Sequence, residues 1–302
     1  MKIKQSKRER VFEICNYIFM VLLCIVTLYP FLYITALSFN DGIDTLRGGI
    51  WLFPRKFTLD NYAKIFEEDN IINSFVVSIA RTSIGILTSL ILISMLSYAL
   101  LDKSLPGRKF FIKYFFITTL FSGGLIPSFI LFRDLKLTNT FWVYIFPAIY
   151  SFYNMVIIRS SFEGIPASIA ESAKMDGATY FTIFSRFYLP LSKPVLATIA
   201  LFTGVFHWND WFAGSFYISK ASLKPAATLL RDILSQMTFE SSGMQNINQM
   251  MNTEMGAQAA TSTTPQSVQM AFVLVITIPI ILVYPFLQKY FVKGVMIGSV
   301  KE

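Results

Sequence analysis

The sequence predicts an all-α polytopic membrane protein with six transmembrane helices and both termini in the cytoplasm. Three observations indicate this architecture. Of the 302 residues, 54% are hydrophobic and 15% are charged, whereas soluble domains carry about 25% charged residues. Six apolar segments approach the length of about 20 residues that a helix needs to cross a bilayer. Lysine and arginine are concentrated in alternate loops between these segments, which is typical of polytopic membrane proteins.

The six apolar segments define the predicted spans. They lie at residues 14–38, 72–100, 110–132, 141–158, 191–212 and 268–290. The fourth is short and the fifth ends in HWNDW, so these two are the least typical of a span. The N-terminal sequence MKIKQSKRER followed by the first apolar run also resembles a signal peptide. That run is too long and lacks a small-residue cleavage site, which favours a retained first span.

Basic residues set the predicted orientation. With a cytoplasmic N-terminus, the inside segments carry 16 Lys and Arg residues and the longer outside loops carry 9. This placement follows the positive-inside rule and explains the net charge of +8 without a nucleic-acid partner. The predicted organisation is a cytoplasmic N-terminus at 1–13 and a single transmembrane domain at 14–302. That domain has a core of spans at 72–290, a cytoplasmic loop at 159–190, an extracellular loop at 213–267 and a cytoplasmic tail at 291–302.

The cytoplasmic loop contains an unusually charged sequence, ESAKMDGATYFTIFSRFYLP. Pro166 suits a first helical turn, and Ser168 followed by Glu171 matches a capping box. The pair Asp176-Gly177 is typical of a helix end, since glycine tolerates left-handed geometry. The sequence therefore predicts a short first helix that ends at a glycine bend.

A second short helix follows the bend. Thr179 is a candidate N-cap, and Leu189-Pro190 marks the predicted end of this helix. The two helices could lie on the lipid surface or enter a groove of a partner protein. The small and acidic side chains favour the groove, because anionic inner-leaflet lipid prefers a more basic face.

The spacing in this loop resembles a known motif. Glu171-Ser172-Ala173, three residues, Gly177, nine residues and Phe187-Tyr188-Leu189-Pro190 resemble the EAA loop, E-A-A-x3-G-x9-I-x-L-P. That loop belongs to permease subunits of binding-protein-dependent ABC importers. Ser172 replaces alanine and Phe187 replaces isoleucine, and the first of these changes keeps a small side chain.

The resemblance extends over nearly the whole chain. The segments SYALLDKSLPGRKFF, FSGGLIPSFILFRDLKLTNTFW and YPFLQKYFVKGVMIGSVKE resemble the maltose/oligosaccharide family of carbohydrate permeases, and within it a subgroup associated with complex oligosaccharides and polysaccharide fragments. The resemblance implies the type I ABC importer permease fold, in which the first EAA helix docks in the ATPase subunit. The implied coupling residues are Glu171, Ser172, Ala173, Asp176, Gly177 and Pro190.

The same resemblance implies the partners. They are a second homologous permease, two ATPase subunits, an extracellular solute-binding protein and an oligosaccharide, in the lipid of a bacterial cytoplasmic membrane. The sequence contains no G-x-x-x-x-G-K-[ST], so ATP and Mg²⁺ are expected on the ATPase partners and not on this chain. The chain is expected to be a transport subunit without catalytic residues. It is not expected to hold a metal, because His207 is its one histidine and Cys15 and Cys24 face opposite sides of a helix.

Residues of the fifth and second spans are candidates for the substrate pathway. Trp208, Asn209, Asp210 and Trp211 could form an interfacial aromatic belt, or stack on sugar rings and bond sugar hydroxyls. Arg81 lies about ten residues into the second span. Structural pairing or snorkelling of Arg81 is favoured over direct substrate contact.

Three further segments carry expectations. Gly123-Gly124 interrupts the third span, where close helix packing is favoured over a flexible point. The loop at 213–267 is expected to be a linker or disordered. The resemblance implies that this loop reaches the binding protein and that the tail inserts between the ATPase subunits. The candidate contacts are Asn246, Asn248, Gln249 and Asn252 in the loop, and Gly298, Ser299 and Val300 in the tail.

Two other classes of protein remain as alternatives. A secondary transporter usually carries internal repeats, and no convincing repeat is present. A membrane-embedded enzyme needs a catalytic constellation, which one histidine and two apolar cysteines do not supply. Neither class explains the charged loop.

Overall fold

The structure, a computed structural model, describes residues 7–67, 70–243 and 263–299 of the chain. Within these ranges it is helical, and its one β-type pairing is an isolated antiparallel bridge between Asn40 and Phe57. The helices are α1 (Lys7–Ser38), α2 (Gly42–Leu46), α3 (Asp60–Phe66), α4 (Ile71–Ala99), α5 (Arg108–Leu120), α6 (Leu125–Asp134), α7 (Phe152–Glu163), α8 (Ala167–Met175), α9 (Tyr180–Ile183), α10 (Leu189–Leu191), α11 (Lys193–Asn209), α12 (Phe212–Tyr217), α13 (Ala226–Gly243) and α14 (Pro265–Ser299). Shorter 3₁₀ turns occupy Phe141–Tyr144, Phe146–Ala148 and Ala221–Leu223, and a π-helical turn occupies Phe184–Tyr188.

Three helical stretches are individually long and apolar enough to cross a membrane. They are α1, α4 and the Pro265–Val283 part of α14. Three more candidates arise only when two bent pieces are taken together as one span. The described residues therefore contain three to six candidate spans, and the predicted number of six is the upper end of this range.

The bends in these three pairs are large. The angle is 117° between α5 and α6, 53° between Phe141–Ala148 and α7, and 80° between Tyr180–Leu191 and α11. The fourth apolar segment, predicted as one span, is therefore broken between Ala148 and Phe152, whereas α11 runs unbroken through most of the fifth. Near the third bend, Pro190 and Pro194 each remove one backbone N–H donor, which favours a break.

The first bend occurs at the predicted glycine pair. Gly124 has φ of 82°, a left-handed conformation that glycine adopts without the steric penalty of a side chain. A Cβ at Gly124 would meet no atom within 4 Å. Gly124 therefore breaks the helix. Within the described residues it has no close neighbour, and a Cβ on Gly123 would meet only Pro127, which differs from the favoured interpretation of close helix packing.

The chain divides into two compact units, Met1–Asp69 with Ile233–Thr277, and Asn70–Asp232 with Ile278–Glu302. In the first unit most of α1 is exposed, and its C-terminal end packs against Ile50 and Met270. The adjoining loop is ordered around Asn40, whose side-chain oxygen accepts hydrogen bonds from two backbone N–H groups and whose amide bonds the Asp44 carboxylate at 3.1 Å. This amide, with Arg55, holds the pKa of Asp44 below its ordinary value.

The second unit is built on α4. This helix packs along α7 and α11, and its C-terminal half contributes to a core that also contains buried side chains from α7, α8, α11 and the segment between them. A second core lies nearer the other end of α4, where Val77 packs with Val143, Tyr144 and Tyr217. The first core attaches the charged loop to α4, and the second attaches to it the chain that follows the fifth apolar segment, around Tyr217.

The expectation of a linker or disorder over 213–267 is wrong for its first part. α12, the turn at Ala221–Leu223 and α13 make most of residues 212–243 helical. This part is tied to the rest of its unit by hydrogen bonds from the Tyr144 hydroxyl to the Leu223 carbonyl oxygen, 2.8 Å, and from the Ala226 N–H to Ser78 Oγ, 2.9 Å. These long-range bonds supply order that the polar composition does not predict.

Candidate functional site

The charged loop folds as a helix, a glycine bend and a second helix, as predicted. α8 ends at Met175, and Gly177 follows with φ of 80°. The Gly177 N–H donates to the Lys174 carbonyl oxygen at 3.0 Å, and the Ala178 N–H donates to that of Ala173 at 2.9 Å. These two bonds form a Schellman motif, which needs a left-handed residue at the position of Gly177.

The second helix begins as the sequence predicts. Thr179 is the N-cap of α9, and its hydroxyl oxygen accepts a hydrogen bond from the Thr182 N–H at 3.2 Å. The helical run continues through a π-helical turn to Leu191. Pro190 lies just after that turn and has no N–H to complete a regular α-helical bond.

The predicted capping box is wrong. α8 begins at Ala167, with Pro166 in the N-cap position and no side-chain cap. Ser168 lies inside the first turn, because Pro166, with ψ of 129°, is the N-cap, and the helix therefore begins two residues earlier than a Ser168 cap would place it. Glu171 is therefore not engaged in a cap.

One face of α8 is exposed in the described chain. Ser168, Glu171, Ser172 and Met175 are spaced by three and four residues and therefore share this face, and all four are exposed. Met175 is 88% exposed, and sequence reasoning missed it. Its spacing of four residues from Glu171 is the signal that could have identified it as part of the same surface.

The opposite face of α8 packs against the protein core. Ala173 is buried in the core that contains Phe162, Ile183 and Phe184. The Lys174 ammonium lies 4.8 Å from the centroid of the Tyr180 ring, which links α8 to α9 by a cation–π contact. α8 is therefore attached to the core that α4, α7 and α11 also form.

A buried ion pair joins the second and fifth apolar segments. Arg81 of α4 is 1% exposed, and its Nη2 lies 2.7 Å from Oδ2 of Asp210. Its Nη1 donates to the Asp210 backbone oxygen at 2.9 Å, and its guanidinium carbon lies 4.3 Å from the centroid of the Tyr144 ring. The guanidinium thus has three partners, which makes this a structural pairing.

Asp210 also organises the chain that follows it. Its Oδ1 accepts hydrogen bonds from the N–H groups of Phe212 and Ala213 at the start of α12, at 2.9 and 3.3 Å. The next residue, Trp211, lies under the Arg231 guanidinium, with 3.4 Å between Cζ and the ring centroid. The two predicted substrate candidates Asp210 and Trp211 are therefore both engaged within the protein.

His207 belongs to α11, and its side chain lies against α4. It is 1% exposed, and a Cβ on Gly85 of α4 would overlap its ring. A glycine is therefore required where the His207 ring meets α4. Within the described ranges, no group of three or more His, Cys, Asp or Glu side chains is placed to hold a metal ion.

The remaining pathway candidates are more accessible. Trp208 is partly buried and lines an apolar groove of about 490 Å³ between α4, α11 and α14, and Asn209 is exposed. The loop candidates Asn246, Asn248, Gln249 and Asn252 lie outside the described residues, as does Val300. Gly298 and Ser299 lie in the last turn of α14, so the backbone at 291–299 continues a helix and is not broken by its glycines.

Comparison with known proteins gives a family match over most of the chain. Residues 4–297 match the family described as the binding-protein-dependent transport system inner membrane component. The chain is 37% identical over 295 residues to the polygalacturonan/rhamnogalacturonan transport system permease protein YtcP of Bacillus subtilis, covering 97% of this chain and 99% of that protein. It is 29% identical over 289 residues to the arabinooligosaccharides transport system permease protein AraQ of Halalkalibacterium halodurans, with 91% and 92% covered.

A solved structure gives a matching fold. A chain from the crystal structure of a bacterial ABC transporter involved in the import of the acidic polysaccharide alginate superposes with a TM-score of 0.83. The two chains are 29% identical, and the match covers 96% of this chain and 100% of the other. The bent helical pairs therefore belong to an architecture that is also found in a crystal structure.

Proposed function

The chain belongs to the family of binding-protein-dependent transport system inner membrane components, and we propose that it is a permease subunit of an ATP-driven importer for oligosaccharides from an acidic polysaccharide. It is a transport subunit and not an enzyme. The observation that carries the proposal is the exposed face of α8, which contains Glu171 and Met175. The opposite face of this helix packs in the protein core through the buried Ala173.

We propose that α8 couples ATP hydrolysis to transport. Its exposed face docks in a cleft of an ATPase subunit, and the Glu171 carboxylate pairs with a basic residue there. Each of two ATPase subunits binds ATP with Mg²⁺, and a second homologous permease completes the pathway. Gly298, Ser299 and Val300 contact the ATPase pair, and the extracellular binding protein is contacted by Asn246, Asn248, Gln249 and Asn252.

The proposed cargo follows from the similar proteins. The name of one relative specifies polygalacturonan and rhamnogalacturonan, and the similar solved transporter imports alginate, an acidic polysaccharide. We propose that this chain transports short uronate-containing oligosaccharides across a bacterial cytoplasmic membrane.

Uptake by the complete complex tests this function. The chain is purified with its second permease and ATPases, reconstituted in proteoliposomes, and supplied with its binding protein and labelled trigalacturonate. We expect ATP-dependent uptake of trigalacturonate and little uptake of the neutral trisaccharide maltotriose. Uptake of maltotriose alone contradicts the acidic cargo, and uptake of neither sugar contradicts the oligosaccharide function.

The proposed orientation has six spans with both termini in the cytoplasm. In a background with Cys15→Ala and Cys24→Ala, a Ser241→Cys variant is expected to react with an impermeant thiol reagent in intact cells. A Ser168→Cys variant, on the exposed face of α8, is expected to react only after the membrane is permeabilised. The reverse pattern inverts the topology that the basic residues indicate.

A further inference from the structure

The loop between α2 and α3 carries a run of exposed apolar side chains. Trp51, Leu52 and Phe53 are consecutive and all exposed, Phe53 by 80% and Trp51 by 69%. We call these three side chains the apolar tip. Large apolar side chains scattered singly on a surface are ordinary, but a contiguous patch marks a surface for a protein or membrane partner.

The apolar tip lies beside the end of the first candidate span. Ile50, the residue before the tip, is buried and packs in one cluster with Ala36 and Leu37 in the last turn of α1. Because α1 is long and apolar enough to cross a membrane, its last turn lies near a membrane surface. The tip is therefore close to the boundary between hydrocarbon and headgroups, where tryptophan is enriched in membrane proteins.

The loop that carries the tip is ordered by hydrogen bonds on both of its sides. The backbone N–H groups of Arg55 and Lys56 donate to Asn40 Oδ1 at 2.8 and 2.9 Å, just beyond the end of α1. The Arg55 guanidinium donates to the Gly48 carbonyl oxygen at 2.6 Å, which closes the loop across the tip. The exposed position of the tip is therefore set by a hydrogen-bonded loop.

The charged side chains next to the tip are basic. Arg47 and Lys56 flank it in the sequence and are both exposed, and residues 45–59 contain no aspartate or glutamate. Asp44, just before this stretch, is buried and paired with Arg55, with 3.0 Å between Oδ2 and Nε. Basic side chains beside exposed apolar ones are typical of a surface that binds anionic lipid.

The general distribution of basic residues does not explain this cluster. In the proposed orientation the loop is extracellular, where lysine and arginine are less frequent than on the cytoplasmic side. Arg55 is accounted for by its pairing with Asp44, whereas Arg47 and Lys56 form no ion pair in the part of the chain that the structure describes. An anionic headgroup beside the tip would explain why two further cations are placed there.

We propose that the apolar tip is an interfacial anchor. Trp51, Leu52 and Phe53 insert at the boundary between headgroups and acyl chains beside α1, and Arg47 and Lys56 bind anionic phospholipid headgroups. The partner is a lipid surface, because the contact through Ile50 places the tip at the level of the last turn of α1 and the flanking charges complement anionic lipid. The anchor goes beyond the proposed function, since it holds for any cargo.

Fluorescence quenching in the complete complex tests the anchor. A Phe53→Cys variant, in the background with Cys15→Ala and Cys24→Ala, is labelled with a small fluorophore and reconstituted with partner subunits that carry no reactive cysteine. We expect strong quenching by phospholipid with a nitroxide near its headgroup, and weak quenching by acrylamide in the water phase. Strong quenching by acrylamide alone places the tip in water, and weak quenching by both means that a protein subunit covers it. Either result overturns the anchor.

The matched control for position is Lys64→Cys on α3. Lys64 is exposed and pairs with Glu67 at 3.0 Å, so it lies on a polar surface of the same compact unit. A fluorophore at this position is expected to show the reverse pattern, with acrylamide quenching it more strongly than the nitroxide lipid. The same pattern at positions 53 and 64 overturns the anchor, because the tip would then be no closer to lipid than an ordinary polar surface.

The role of the two cations is tested with the same label. Nitroxide phosphatidylglycerol is expected to quench the fluorophore at position 53 more than nitroxide phosphatidylcholine, when each is a minor component of a phosphatidylcholine bilayer. Arg47→Gln and Lys56→Gln are each expected to lower this preference about fivefold, whereas Lys64→Gln is expected to leave it unchanged. An equal effect of the two lipids on the unaltered tip, or an unchanged preference in both tip variants, overturns the binding of anionic headgroups.

Discussion

Replacement of Arg81 by methionine is expected to lower the midpoint temperature of the assembled transporter by about 10 °C. The substitution leaves the Asp210 carboxylate, 17% exposed, without its guanidinium partner. Removing one member of a buried ion pair costs about 3–5 kcal/mol, and about 1 kcal/mol corresponds to about 2–4 °C for chains of about 150–250 residues, the nearest range to this one. The measurement is the loss of the monodisperse complex after heating in detergent.

A double-mutant cycle isolates the pair from its surroundings. Asp210→Asn keeps an oxygen that can accept the N–H bonds of Phe212 and Ala213, but leaves the Arg81 cation buried with only a backbone oxygen and the Tyr144 ring. Combining Asp210→Asn with Arg81→Met is expected to cost less than the sum of the two single changes. Strict additivity contradicts a direct pairing.

The control for this prediction is an exposed pair in the same chain. Arg133 and Asp134 lie 3.1 Å apart and are both 61% exposed. Arg133→Met removes the same cation but is expected to shift the midpoint by about 2 °C or less, because surface ion pairs contribute about 0–1 kcal/mol. An equal shift for Arg81→Met and Arg133→Met would show that the buried pair has no special stabilising role.

The helices could be predicted from the sequence more readily than the bends within them. A 20-residue apolar window covers α5 and α6 equally well whether or not the chain turns between them, because the residues on both sides of Gly124 are apolar. The local chemistry of the glycine identifies a break, but no pattern in the sequence specifies an angle of 117°. The angle depends on packing that is formed between distant segments.

The residues of the candidate sites also differ in how readily they could be predicted from the sequence. Gly177 and Thr179 could be predicted because each determines its own turn by local backbone bonds. Arg81 was recognisable as a charge in an apolar segment, but its partner lies 129 residues away in the chain.

Charge reversal on the exposed face of α8 is expected to uncouple ATP hydrolysis from transport. Glu171→Lys replaces a carboxylate that has no ion pair within the described residues by a cation, which would repel the basic ATPase residue that we propose as its partner. A charge-assisted hydrogen bond contributes about 1.5–3 kcal/mol, so uptake is expected to fall at least about tenfold. The control Asp134→Lys reverses an exposed charge outside α8 and is expected to leave uptake nearly unchanged.

The glycine bend after α8 gives a second and independent test of whether α8 couples ATP hydrolysis to transport. Gly177 has φ of 80° with no atom within 4 Å of a Cβ position, so a side chain there causes backbone strain and no clash. Gly177→Val is expected to shift the direction of α8, because a β-branched residue strongly disfavours φ > 0, and to reduce both uptake and co-purification of the ATPase. Gly164→Ala is the matched control, since Gly164 ends the preceding helix with an ordinary φ of −76°.

Normal sugar uptake in both Glu171→Lys and Gly177→Val contradicts the assignment of α8 as the coupling helix. Loss of uptake in Glu171→Lys and Gly177→Val, with a folded permease and an unaffected Gly164→Ala control, would support a coupling that depends on the charge of α8 and on the bend that follows it.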